Sequence, residues 1–249
     1  MSLTADSPAV ELMRDEVKVL TFDVFETLTV KQPTFEAAYE TLLKDKNYDA
    51  DPFVFQRRVL AKHFRNNLMD SVIESPHTPF KENYRKAVVF RLKEAGLDFT
   101  DEEVHTVVET WKQLPAHPEV NDALKRLQER YKLAWMSNGD PDILQSLNER
   151  SFDIEPDAVF SSAHAGVYKP HPRTYRRAFE HFDAAPHEVG HVNCHPNDNY
   201  GASSVGCKTF YIDRSDAQGK EFNVFDEIGE EPDLWVSDLT ELADLLAPE

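Results

Sequence analysis

The chain has 249 residues, 41% of them apolar and 11% aromatic, a composition that fits one substantial core, or a core carrying an insertion, rather than two unrelated domains. A formal net charge of -18 argues against a nucleic-acid or anionic-membrane partner, because the long-range field repels polyanions. It leaves a small anionic organic substrate open, since local cations decide such binding.

Met1 to Arg14 lacks a basic n-region followed by an apolar run, so it does not read as a secretory signal, and a cytoplasmic location is expected. Disorder is expected only in the first dozen residues. Val17 to Phe22 is an apolar run of strand character that ends at Asp23. Open α/β sheets place their reactive groups in the crevice above the carboxyl ends of their strands, so Asp23 is a candidate nucleophile. Thr27, four residues on, can return its hydroxyl to that carboxylate after a sharp turn.

Apolar residues then recur at three-to-four-residue spacing over Phe35 to Leu43, Phe53 to Met69, Glu82 to Ala95 and Asp101 to Trp111, which predicts helices. Thr100 and Glu103 stand at the spacing of a capping box, placing a helix start between them. Residues 34–114 therefore read as an all-helical cap inserted after the first strand, with 1–33 and 115–249 forming the core. A helical module rooted beside a crevice can close over it and exclude water.

From Pro115 onward helices and short apolar runs alternate. Pro118 to Tyr131 leads to Lys132 to Met136, Pro141 to Arg150 to Ala158 to Phe160, and Pro172 to Phe182 to Val189 to Val192. A helix after Asp198 leads to Lys208 to Ile212, and an amphipathic helix, Leu239 to Leu246, is expected to cover an edge. Such alternation predicts an α/β fold, a Rossmann-like parallel sheet with helices on both faces. The apolar runs are well below the roughly 20 residues that cross a bilayer, so no membrane span is expected.

Polar clusters follow the strands. Ser137-Asn138-Gly139-Asp140 opens a helix and suits an anion or oxyanion pocket. Lys169 precedes Pro170, which should fix its backbone as extended and aim its ammonium; beside Asp23 it would keep that carboxylate ionised. Tyr175 can reach the same loop. Asn193, His195 and Asp198 belong to the densest polar stretch, where Asp198 can anchor Lys169 or place a water, and Asn193 and His195 can orient nucleophile or water. A metal site or a Cys-His nucleophile at Cys194 and His195 is set aside, because adjacent side chains usually diverge. The two cysteines, Cys194 and Cys207, lack CxxC or metal-ligand spacing, which implies free thiols.

Taken in order, Phe22-Asp-Val-Phe-Glu-Thr-Leu28, Met136-Ser-Asn-Gly139, Val167-Tyr-Lys-Pro-His-Pro-Arg-Thr-Tyr175 and Val192-Asn-Cys-His-Pro-Asn-Asp-Asn-Tyr-Gly-Ala202 resemble the haloacid dehalogenase superfamily, most of all the L-2-haloacid dehalogenases. The superfamily's phosphatases carry a second Asp two residues after the nucleophile to protonate the leaving alcohol. Phe25 stands there instead, and a halide leaves without a proton. The resemblance implies that Asp23 displaces halide from C2 of a 2-haloacid and that water hydrolyses the resulting ester. Thr27, Ser137 and Asn138 would position Asp23 and the substrate carboxylate, Lys169 would hold the nucleophile, and Tyr175 and Asp198 would support Lys169 and the water. No metal or other cofactor is implied for this branch; the phosphatase alternative would hold magnesium through Asp23 and Asp198. A non-catalytic assembly role and a homodimer are further expectations.

The chain departs from the family pattern in three respects. Gln56 aligns with the Arg that receives substrate carboxylate or halide, followed by Arg57 and Arg58; one residue on a helix turns a side chain by about 100°. His195 and Asn193 replace an Asn and a Ser. Glu26 stands where the family commonly has Gly.

Overall fold

A computed structural model describes residues 4–73, 76–214 and 231–248. Strands β1 (Val19–Phe22), β2 (Lys132–Ser137), β3 (Ala158–Ser161), β4 (Val189–Asn193), β5 (Lys208–Ile212) and β6 (Leu234–Val236) form one parallel sheet in the order β3-β2-β1-β4-β5-β6. β1 is buried along its whole length because both faces are covered, which explains its unbroken apolar run. Leu20 and Phe22 join a large cluster with the helical segment, while Val19 packs opposite with Ala134, Met136 and Tyr175.

The strand order reverses across β1, between β2 and β4, and open α/β sheets place their ligand crevice at such a point. Asp23 N–H donates to Val192 O at 2.9 Å, extending the β1–β4 pairing to the residue that carries the carboxylate.

Two elements differ from the sequence reading. Helix α1 (Pro8–Glu16) occupies part of the stretch expected to be disordered: Pro8 sits at its first turn, Val10 and Met13 are buried, and Arg14 Nη2 donates to Leu245 O at 2.7 Å. Met1 to Leu3 lie outside the described residues. β6 passed unnoticed because three residues give too short a pattern to register an alternation, and Trp235 at its centre faces outward.

Between β1 and β2 run α2 (Thr34–Asp45), α3 (Pro52–Val72), α4 (Phe80–Glu94), α5 (Asp101–Glu109) and a 3-10 turn (Thr110–Gln113). The Thr100–Glu103 capping box forms, with Thr100 N–H donating to Glu103 Oε2 at 2.7 Å. The core itself caps α4. Asp140 Oδ1 and Oδ2 accept Phe80 N–H and Lys81 N–H, each at 2.9 Å, so a carboxylate from the β2 loop faces the positive end of a helix in the inserted segment. Tyr168 adds a second tie, its N–H donating to Ser71 Oγ at 2.8 Å and its hydroxyl to Thr78 O.

The remaining helices are α6 (Val120–Gln128), α7 (Pro141–Ser151), α8 (Ser162–Ala165), α9 (Pro172–Phe182), α10 (Pro196–Ser203) and α11 (Leu239–Leu246). α11 packs on α6 and α1 and also against β6, the edge strand of the sheet. Among the described residues no helix is long and apolar enough to cross a membrane. Asp140→Ala orphans two helix-terminal N–H groups, so denaturant titration should show a loss of about 1–3 kcal/mol, with the helical segment loosening first in hydrogen exchange.

Candidate active site

Lys169 is the hub of the site. Its buried ammonium donates to Asp23 Oδ1 at 2.8 Å and to Asp198 Oδ2 at 2.6 Å, joining the end of β1 to the start of α10. Burial alone works against a charged lysine, but Asp198 and Asp23 more than offset it and hold Lys169 above the ordinary lysine range. For Asp198, burial is likewise overcome, by Lys169 and His191, and its carboxyl stays well below the usual range. The second oxygen of Asp23 accepts Thr27 Oγ1–H at 2.7 Å, so both oxygens of the candidate nucleophile are oriented. The Lys169–Pro170 peptide is cis.

Tyr175, reaching across from α9, donates to Asp198 Oδ1 at 2.6 Å. That approach requires Gly201: a Cβ there would stand 2.5 Å from the Tyr175 hydroxyl. His191 was not singled out in the sequence, yet its Nε2 lies 3.1 Å from Asp198 Oδ2 while Nδ1 faces Thr21 Oγ1 at 2.9 Å. A histidine inside an otherwise apolar strand was the available signal.

Several expected residues shape loops rather than touch Asp23. Asn138 Oδ1 accepts Lys169 N–H at 2.7 Å, holding the backbone of the lysine. Ser137 Oγ accepts Gly139 N–H at 3.2 Å, and Asn193 Oδ1 accepts His195 N–H at 3.2 Å. Ser137 and Asn193 are both fully buried.

His195 does reach Asp23, its Nε2 lying 3.8 Å from Asp23 Oδ2 and 3.2 Å from the Phe25 carbonyl to which it donates. Burial opposes charging this ring; the Cys194 sulfur and then the Asp23 and Glu26 carboxylates reverse that, holding His195 well above the ordinary histidine range. Cys194 and His195 converge, contrary to the expectation that they diverge: ligand atoms of Asp23, Cys194 and His195 lie within 4.8 Å of one another. The strand has ended and the chain is turning into α10, so the strand alternation no longer separates neighbours.

The crevice above Asp23 encloses about 450 Å³ between this network and the helical segment. Phe25 forms its floor, packed on Phe80 at 5.4 Å and Trp111 at 4.6 Å between ring centroids. Gly139 makes room for that ring, since a Cβ would meet Phe25 Cζ at 2.8 Å. His63 faces the same space, kept neutral by burial, which pushes it down to about 3. Of the three α3 residues proposed from sequence, Arg57 lines the crevice; Gln56 is buried and accepts Gln32 Nε2–H at 3.3 Å, and Arg58 is exposed away from it. The helical turn between adjacent residues thus brings Arg57 to the crevice and turns Arg58 off it. Lys31, which the sequence reading missed, lines the crevice and pairs with Glu26 at 2.5 Å.

The description haloacid dehalogenase-like hydrolase matches residues 17–203 of the chain. An (S)-2-haloacid dehalogenase of Pseudomonas sp. (strain YL) is 29% identical over 168 residues, spanning 67% of this chain and 70% of that protein. A phosphoserine phosphatase of Thermus thermophilus is 31% identical over 144 residues, 55% of each. A solved defluorinating L-2-haloacid dehalogenase shares the fold, with a TM-score of 0.83 at 22% identity over 99% of both chains.

Lys169→Met would leave Asp23 and Asp198 buried side by side without their cation, and at pH 8 should lower stability by about 3–5 kcal/mol. The depressed Asp198 contributes stability above the unfolded carboxylate value and loses it as pH falls through its folded value. In the variant the Asp198 carboxyl, without Lys169 beside it, takes up its proton at higher pH than in wild type. Denaturant titrations at pH 8 and pH 5 should therefore show the wild-type advantage shrinking at the lower pH.

Proposed function

The chain belongs to the haloacid dehalogenase-like hydrolases, and we propose that within them it hydrolyses the carbon-halogen bond of 2-haloacids. The observation that carries this reading is Phe25: the position from which a phosphatase would protonate its leaving oxygen holds an aromatic ring packed on Phe80 and Trp111. Carbon-halogen cleavage needs no such proton.

In the proposed reaction an oxygen of Asp23 attacks C2, the carbon-halogen bond breaks, and the halide leaves with its electron pair. Lys169 and Thr27 fix the carboxylate, which turns the attack into an oriented, near-unimolecular event. Arg57 and the charged His195 draw the substrate carboxylate and the departing halide into the crevice. Water then adds to the Asp23 carboxyl carbon and the bond to the alkoxy oxygen breaks; the alkoxide takes one proton of that water and departs as the 2-hydroxy acid, and the other proton passes to solvent, leaving Asp23 a carboxylate. Asp198, fixed by Lys169 and Tyr175, orients that water and remains a carboxylate. The residues between β1 and β2 act as the cap that excludes bulk water from the ester.

A magnesium ion held by Asp23 and Asp198 fits poorly. Oδ1 and Oδ2 of both residues already accept hydrogen bonds from Lys169, Thr27 or Tyr175, and the third converging pair of donors, from Cys194 and His195, is soft or cationic rather than oxygen. No step is assigned to a metal.

A second reading has one observation in its favour: the charged His195, 3.8 Å from Asp23, is placed to protonate an ester oxygen in place of the missing acid, which would suit a phosphate ester. A single assay separates the two. With L-2-chloropropionate the protein should release chloride at a rate that EDTA leaves unaltered and that Asp23→Asn lowers by at least a thousandfold; phosphate release from phosphomonoesters without chloride release would overturn the proposal.

A further inference from the structure

Glu26 is an acidic residue of the crevice that neither reading above uses. Its backbone lies in the left-handed region, with φ +68°, where a side chain other than that of glycine is disfavoured. The conformation is pinned on both sides: the Glu26 carbonyl accepts His117 Nε2–H at 3.0 Å, and Leu28 and Thr29 N–H both return to Val24 O at 3.1 Å. Strain of this kind persists where the surroundings over-determine it and tends to gather at functional sites.

The side chain it presents goes to a definite place. Glu26 Oε2 lies 2.5 Å from Lys31 Nζ and 3.8 Å from His195 Nε2, and Arg57 completes the set of cations around it. Lys31 and Glu26 are both largely shielded from solvent. Burial by itself raises the Glu26 carboxyl, but Lys31, His195 and Arg57 together bring it below the ordinary range, so the group is a carboxylate. The same His195 Nε2 is also 3.8 Å from Asp23 Oδ2, which puts the Glu26 carboxylate within twice that distance of the nucleophile. A substrate whose C2 sits about 3–3.5 Å from Asp23 carries its own carboxylate into this same zone.

We infer that Glu26 is an internal occupant of the anion receptor formed by Lys31, Arg57 and His195, which the carboxylate of an incoming substrate must displace, and that Glu26 therefore sets the affinity of the site for anionic ligands. The inference rests on the reading of the crevice as a receptor for a carboxylate-bearing substrate. A carboxylate lying among three cations already takes up part of their charge; replacing it by a neutral group leaves that part to the ligand.

Calorimetric titration with L-lactate, an unreactive 2-hydroxy acid, tests this on wild type, Glu26→Gln and Glu26→Gly. The glutamine keeps the shape, and the glycine suits the positive φ, so folding does not depend on a single variant. Both should bind L-lactate at least tenfold more tightly than wild type, while lactamide, the neutral counterpart, gains nothing. A purely structural role for Glu26 would lower the melting temperature and leave the lactate affinity where it was. Unchanged or weaker lactate binding in both variants, or no lactate binding in any of the three proteins, overturns the inference. Chloride release is scored separately: tighter lactate binding without turnover of L-2-chloropropionate would remove the dehalogenase reading and leave the receptor standing.

Discussion

One buried ammonium holds two carboxylates from distant parts of the chain. Asp23 follows the first strand, Lys169 lies in the loop before α9 and Asp198 opens α10, and removing Lys169 would leave two largely buried negative charges side by side. Desolvation makes such an arrangement unfavourable unless the charges are paired and the groups around them hydrogen-bonded. The surroundings meet that condition, with Thr27 on Asp23, Tyr175 and His191 on Asp198, and Asn138 gripping the Lys169 backbone. The geometry of the Asp23 carboxylate is therefore a consequence of charge compensation across the sheet edge.

Sheet topology makes that convergence possible. Because β2 and β4 flank β1, the loops after all three strands open onto one crevice, and residues far apart in sequence meet there. The helical segment supplies the opposite wall, tied down by Asp140 at the start of α4 and by Tyr168 to Ser71. Phe25 links the two halves: it belongs to the loop that carries Asp23, yet its ring packs on Phe80 and Trp111 of the segment. The residue that argues against phosphate chemistry is thus also part of the contact that closes the crevice.

The alternation of helices and apolar runs made the parallel sheet legible in the sequence, and the order of Asp23, Thr27, Lys169, Tyr175 and Asp198 made the charged network legible. What remained hidden depended on direction rather than identity. Gln56, Arg57 and Arg58 are adjacent, and only the set of the helix against the core turns Arg57 toward the crevice. Cys194 and His195 converge because the chain is leaving a strand, which spacing alone does not reveal. Lys31 and His191 carried no motif; one gains meaning from Glu26 beside it and the other from Asp198 beyond the end of its strand. β6 is too short for its pattern to show.

The central claim is that Asp23 forms an ester with the substrate and that water attacks the carboxyl carbon of Asp23. A single turnover with enzyme in excess over L-2-chloropropionate in oxygen-18 water, followed by mass spectrometry of the peptide containing Asp23, tests it most directly. The account predicts one heavy oxygen on Asp23 and none in the first equivalent of hydroxy acid. Label in the product with an unlabelled Asp23 would show water attacking the substrate directly and would contradict the account.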